Sequence, residues 1–250
     1  LSTLCLARDC PLLVAPAMNR QMWRNPATQR NIAVLREDGI AILGPDEGVQ
    51  ACGEVGEGRM MEPEALCEAL ISALHAKILA GKRVVITAGP TYEPIDPVRG
   101  VTNISSGKMG YALARACAQA GAEVQLVSGP VALPAPMGVS RTSVMTAGEM
   151  HQAVMARVGQ ADVFIGVAAV ADFRPRHAAD QKLKKGPGTT LTLELGQNPD
   201  ILAEVASLPA APFCVGFAAE SQNLEAYAEE KRLRKRLALV VGKLVQDGMG

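Results

Sequence analysis

Aromatic residues are scarce: Phe, Tyr and Trp make up 3% of the 250 residues, with a single tryptophan, Trp23. That scarcity excludes the stacking platforms on which single-stranded nucleic acid is bound. Neither sign of charge is in excess, with Lys+Arg and Asp+Glu at 25 each, so the chain carries no footprint for nucleic acid or an anionic membrane. No apolar run approaches the ~20 residues of a bilayer-spanning helix. The six cysteines, Cys5, Cys10, Cys52, Cys67, Cys117 and Cys214, contain no C-x-x-C pair. This argues against a zinc site or disulfide scaffold and for free thiols in a reducing cytoplasm. His75, His151 and His177 are isolated, and neither H-E-x-x-H nor G-x-S-x-G occurs. Two phosphate-binding signatures, the Walker loop and G-x-G-x-x-G, are also missing.

What is present is an apolar content of 48%, enough for a large core, and one stretch around which the rest is organised. Residues 83–129 begin with a buried strand, 83–87, followed by a Gly/Pro/Thr loop and the run SSGKMG. A helical pattern over 111–119 closes at Gly121, and a second apolar strand occupies 124–127. This is a βαβ unit, which places free backbone N–H groups and a positive helix end at the mouth of a parallel sheet, where a phosphate is held. The pattern does not say which phosphate compound.

Before this unit, PLLVA (11–15) and residues 40–43 read as short strands, with a helix over 27–37 capped by Asn25 and Pro26. Residues 47–60, EGVQACGEVGEGRM, show no apolar periodicity and read as a loop or flap; a further helix is expected over 65–79. Cys52 in that flap is either a spare surface thiol or a mobile proton donor. Asn19, following a strand, is either a turn residue or a substrate ligand. The boundary falls near residue 80, giving parts 1–80 and 81–250. The opening residues lack a charged n-region and a starting Met, and the last ones stop just past a strand, so the chain reads as part of a longer one.

Beyond the βαβ unit, Thr146 and Glu149 form a capping box ahead of a helix to Val158. A strand over 162–167 runs into AAVADFRP; Asp172 there is a Mg²⁺ ligand beside a triphosphate or a turn cap, the two being evenly balanced. KLKK (182–185) is a solvated tip or a cationic clamp, and TLTLEL (190–195) alternates like a strand, so the two suggest a hairpin arm. Asn198-Pro199-Asp200-Ile201 reads as a helix start with Asn198 as cap. Strands are expected over 213–217 and 237–241, separated by a basic helix in which Lys231 and Lys235 share a face and can grip one polyphosphate.

Taken in order, PAMNRQMW, ACGEVGEGRM, GPTYEPIDPVRGVTNISSGKMG, AAVADFRP, KLKK, NPDI and VGFAAE resemble the bacterial family that fuses a phosphopantothenoylcysteine decarboxylase to a phosphopantothenate–cysteine ligase of coenzyme A biosynthesis. The resemblance spans nearly the whole chain. It implies an α/β architecture: a Rossmann-like parallel sheet with helices on both faces and a β-hairpin arm, preceded by the C-terminal part of a flavodoxin-like flavoprotein domain. It implies CTP-dependent ligation of 4′-phosphopantothenate to cysteine through an acyl-cytidylate. Lys182 would help form that intermediate and Asn103 would help turn it over. Ala168, Asp172, Lys182, Asn198, Pro199, Asp200, Ile201, Phe217, Lys231 and Lys235 would line the CTP site, with Mg²⁺ at Asp172. For the first part it implies FMN, a substrate contact from Asn19 and proton donation from Cys52, with the family's catalytic His upstream of Leu1. It further implies a cytoplasmic enzyme, ligase dimers and flavin-domain trimers. One departure stands out: where the family reads DLIVAND, this chain has ALVVGKL, placing Ala238, Lys243 and Leu244 at the Asp, Asn and Asp positions. A nicotinamide-dependent reductase on the same βαβ unit, and a non-catalytic nucleotide-binding module, are the competing readings.

Overall fold

The computed structural model describes residues 2–51, 53–184, 190–220 and 222–244. The chain forms two compact units, Leu1–His75 and Ala76–Gly250.

The first unit contains α1 (Ser2–Ala7), β1 (Leu13–Val14), α2 (Arg20–Arg24), α3 (Pro26–Glu37), β2 (Ala41–Ile42), β3 (Asp46–Val49), β4 (Val55–Arg59) and α4 (Pro63–Leu74). β1 and β2 pair in parallel. Asn19 caps α2 by accepting from the Gln21 amide, and Asn25 caps α3 by accepting from Ala27, with Pro26 in the first turn. The stretch expected as a flap is an antiparallel hairpin, β3–β4. Its two-residue period is written in glycine, not in apolar residues, which is why hydropathy misses it. Gly56 and Gly58 form the buried face of β4. A Cβ on Gly58 would lie 2.3 Å from the Met18 carbonyl oxygen, so only glycine lets this strand approach the loop after β1. Helix α4 stops at Leu74, short of residue 79. The Leu79 amide instead donates to the Ala120 carbonyl, and its side chain packs in the core of the second unit.

The second unit contains β5 (Arg83–Ala88), β6 (Tyr92–Asp96), β7 (Arg99–Thr102), α5 (Lys108–Gln119), β8 (Glu123–Ser128), β9 (Val139–Ser143), α6 (Ala147–Val158) and β10 (Val163–Gly166). It continues with β11 (Phe173–Pro175), β12 (Leu195–Gln197), α7 (Ile201–Ala206), β13 (Phe213–Glu220), α8 (Leu224–Arg234) and β14 (Leu239–Leu244). Six strands form a parallel sheet in the order β14-β13-β10-β5-β8-β9. The chain starts in the middle, builds outward to β9, then crosses back to β10 and builds the other half: the doubly wound order, with a switch point between β5 and β10. Alternation along β5 and β8 gives the sheet two cores. Val84, Ile86, Val124 and Leu126 pack with Tyr111 and Ala114 of α5. Val85, Val127 and Phe164 pack with Met150 and Val154 of α6 and Ile201 and Val205 of α7. Each Val, Leu, Ile, Phe or Met side chain among them, fully withdrawn from water, contributes about 1.5–3 kcal/mol.

Four expectations are corrected here. The loop between β5 and α5 contains the hairpin β6–β7. In the capping box, Thr146 accepts from Glu149 N as expected, but the Glu149 carboxylate reaches one residue further back, to the Met145 amide. The helix cap in NPDI is Asp200, which accepts from Ala203 N, and not Asn198, whose side-chain amide is used elsewhere. Finally, the arm pairs as β11 with β12, continued by one backbone bond from Arg176 N to Glu194 O at 2.9 Å; Thr190 to Glu194 form no strand. Beyond Arg176 the other side of the arm turns to the β6–β7 hairpin instead, where Ala179 N donates to Ile95 O and Leu183 N to Asp96.

Candidate functional site

At the carboxyl ends of β5 and β10, two buried threonines stitch the facing loops together. Thr87 Oγ1 accepts from Val167 N at 3.2 Å and Ala168 N at 3.3 Å. Thr91 Oγ1 accepts from Ala171 N at 2.9 Å. Backbone bonds from Ala169 N to Gly89 O and from Thr91 N to Ala169 O complete the seam. Asn103, just past β7, lays its side-chain amide over it, donating to Ala169 O at 3.2 Å and Val170 O at 3.1 Å. The start of α5 belongs to the same segment of chain. Its N-cap, Gly107, has a left-handed backbone and supplies no side-chain cap, and no acidic residue occupies the first turn. The first turn thus carries no carboxylate of its own, and its N–H groups favour an anion.

A second group of candidates lies beyond β10 and β13. Asp172 is exposed, and its carbonyl accepts from Asn198 N at 2.8 Å. Asn198 is buried; its Nδ2 donates to Ala171 O and its Oδ1 accepts from Arg174, both at 2.8 Å. Pro199 and Asp200 lead from it into α7, whose first residue, Ile201, is buried in the core. Lys235 Nζ lies 2.6 Å from Asp200 Oδ2, and Lys231 Nζ donates to Phe217 O at 2.6 Å. Burial alone would raise the Asp200 pKa, but the Lys235 hydrogen bond, the Ala203 amide and the charges of Lys235 and Lys231 hold it below its ordinary value. The arginines of α8 are tied to its own carboxylates, Arg232 to Glu229 and Arg234 to Glu230. The expected pair, Lys231 and Lys235, is thus the part of this basic helix turned toward the strand ends.

Lys182 itself is exposed, and the residue after it, Leu183, is held by the β6–β7 turn. The structure therefore brings Ala168 into the seam with Asn103, and pairs Asp172 with Asn198, Asp200 with Lys235 and Phe217 with Lys231. Lys182 is supported separately, beside Leu183 on the β6–β7 turn. In the first unit, Asn19 Nδ2 donates to Glu54 Oε2 at 3.0 Å, and Arg20 Nε lies 3.5 Å from the same carboxylate. Cys52 falls outside the described residues; the neighbouring turn is closed by Gln50 N to Glu54 O.

Sequence reading missed Thr87, Thr91, Asp96, Arg174 and Glu54. The one local signal among them was the Asp-Pro turn at residues 96–97. Among the described residues no group of three or more His, Cys, Asp or Glu could hold a metal. A pocket of about 310 Å³ lies at the opposite, amino end of the strands, lined by Arg83, Glu123, Arg157 and Gln160. Its two guanidiniums are already engaged, Arg83 by Gln160 and Arg157 by Ala153 O and Thr142 Oγ1.

Comparison with known proteins adds the following. Residues 79–250 match the family model described as DNA/pantothenate metabolism flavoprotein C-terminal domain, and residues 2–75 match the model described as Flavoprotein. The coenzyme A biosynthesis bifunctional protein CoaBC of Vibrio cholerae is 54% identical over 242 residues, covering 96% of this chain and 61% of that one. Its Escherichia coli counterpart is 51% identical over 243 residues, 96% of this chain and 60% of that one. The chain thus spans about three fifths of the length of the curated relatives it matches. A crystal structure of the C-terminal domain of a CoaBC protein superposes with a TM-score of 0.59 at 43% identity, covering 66% of this chain and 79% of that one.

Proposed function

That this chain belongs to the DNA/pantothenate metabolism flavoprotein family is the premise from which we propose that its second unit joins 4′-phosphopantothenate to cysteine at the expense of CTP. The observation that carries the reading is the seam at the switch point. An asparagine and an uncapped helix start lie on one side of it, and two lysines converge with Asp200 and Phe217 beyond it. In the first step a carboxylate oxygen of phosphopantothenate attacks the α-phosphorus of CTP, forming an acyl-cytidylate and releasing pyrophosphate. In the second, the cysteine amine attacks the acyl carbon, CMP leaves and the amine loses a proton. Two anions must meet in the first step, so cations decide its rate. Lys231 and Lys235 hold the nucleotide together with Ala168, Asn198, Pro199, Asp200, Ile201 and Phe217. Asp172 would hold a Mg²⁺, which would offset negative charge on the nucleotide, and Lys182 steadies the charge that develops on activation. Asn103 acts on the acyl-cytidylate.

In the same reading, residues 1–75 supply part of a decarboxylase acting on 4′-phospho-N-pantothenoylcysteine. Asn19 contacts the substrate and Cys52 returns a proton. FMN, when bound, would supply the oxidation and reduction at the thiol-bearing carbons. The loop at the end of β1 and the β3–β4 hairpin are what this unit offers to such a site. A cytoplasmic location, ligase dimers and flavin-domain trimers complete the proposal.

The test is pyrophosphate release from CTP, which requires phosphopantothenate. Lys182→Gln abolishes it; undiminished release would remove Lys182 from its role. Asn103→Asp leaves activation in place and impairs cysteine transfer, because a carboxylate set against two carbonyl oxygens is repelled from its seat; equal loss of both steps would reject that division. Tight NADH binding without CTP binding would favour a reductase, since the strand order is also that of dinucleotide-binding domains. CTP binding without turnover would favour a non-catalytic module.

A further inference from the structure

The Asp96 carboxylate has no exposed surface, yet it is charged and fully occupied. Oδ1 accepts from Val98 N at 2.8 Å and Arg99 N at 3.1 Å, closing the β6–β7 turn. Oδ2 lies 3.1 Å from Arg99 Nε and accepts from Leu183 N at 3.0 Å, across 87 residues of sequence. Arg99 Nη2 then donates to Leu183 O at 3.3 Å, so both polar groups of the Leu183 backbone are clamped by this pair. Ala179 N adds a second tie, donating to Ile95 O at 2.9 Å. A buried carboxylate is stable only when its oxygens are satisfied, and here one of its partners is the peptide that joins Lys182 to Leu183. The strand leaving the same turn, β7, ends one residue before Asn103.

We propose that Asp96 is a positioning residue of the ligase site: it fixes the backbone beside Lys182 to the turn from which Asn103 is also presented, and so holds the two to one another. The proposal rests on the roles given to Lys182 and Asn103 above. Without the tie, a long lysine side chain on an exposed segment would occupy the required geometry only part of the time, and small displacements of a catalytic group are costly in rate. The turn keeps its local bonds in either case, so the coupling lies in the Leu183 contact.

Two variants test this. Asp96→Asn replaces the Oδ2 charge, and Leu183→Pro removes the donor while leaving the turn and the Asp96–Arg99 pair intact. Hydrogen exchange is read over residues 179–184 and, as internal reference, over β5 and β8. The expected result is exchange about tenfold faster in 179–184, with β5 and β8 unchanged. Alongside it, the rate constant for pyrophosphate release should drop about a hundredfold while KM for CTP moves by less than about twofold. Asp96→Glu, which restores a carboxylate, should recover part of the rate. Unchanged exchange in 179–184 overturns the tie. Faster exchange with undiminished pyrophosphate release overturns the positioning role. Lys182→Gln, run in parallel, separates the two levels: if it too releases pyrophosphate at the parent rate, the role of Lys182 is what fails, and exchange alone then decides whether Asp96 holds the segment.

Discussion

The carboxylate of Asp200 accepts from the Ala203 amide through one oxygen and meets the Lys235 ammonium with the other. It therefore starts a helix and anchors a lysine at once. Because its folded-state pKa is depressed, the unfolded chain takes up the proton first as pH falls. The stability it contributes is full above the ordinary carboxylate range and is lost as pH drops through the depressed value. Asp200→Ala is expected to cost about 1 kcal/mol at neutral pH through the lost cap. The gap between parent and variant should close in acid, a trend that urea unfolding at a series of pH values will show. At this scale the sequence was partly legible. Asn, Pro and Asp announced a helix start, but which side chain capped it depended on Arg174 and Ala171, which take up Asn198. Thr91 was opaque because Ala171 lies 80 residues away, and of Asp96 only the turn was local, its bond to Leu183 spanning 87 residues.

Among the elements, α5 depends on how near it can come to β5. A Cβ placed on Gly110 would lie 2.5 Å from the Ala88 Cβ, and Ala88 is wholly buried in the central strand. Gly110→Ala should thus destabilise by about 1–3 kcal/mol despite improving helix propensity. An Ala88→Gly background should relieve part of that loss, and the double-mutant coupling measured by chemical denaturation checks it. Strands and helices with apolar periods were readable to within a few residues, except TLTLEL, whose alternation reads as a strand where 190–194 form none. The two hairpins were not, each for its own reason. β4 hides its inward face in Gly56 and Gly58, and β6–β7 buries Glu93 and Asp96, residues that hydropathy assigns to the surface. Glu93 is buried because it accepts from the Ala147 amide at the start of α6.

For the whole molecule, the sheet separates two cores, and Phe164 of β10 is among the largest side chains fully withdrawn into one of them. Phe164→Ala should cost about 3–5 kcal/mol, with a fall in Tm measured by calorimetry. The alternation of strands and helices made the doubly wound class readable, since the inner strands β5, β8 and β10 are largely buried and read as short apolar runs, whereas the edge strands β9 and β14 are half-exposed. The crossing back to β10 cannot be read from any local pattern, yet it decides where the seam forms. It also sets an order in time. β5 is made first, pairs with β8 once the next 40 or so residues follow, and then waits for β10, which ends about 80 residues after β5 does. At a synthesis rate of about 5–20 residues per second, the nascent chain displays one open, apolar edge of its central strand for roughly 4–16 s. During that interval a second nascent copy can pair where β10 belongs, so the yield of this protein should depend on how fast its middle third is translated and how well the emerging chain is kept from its neighbours.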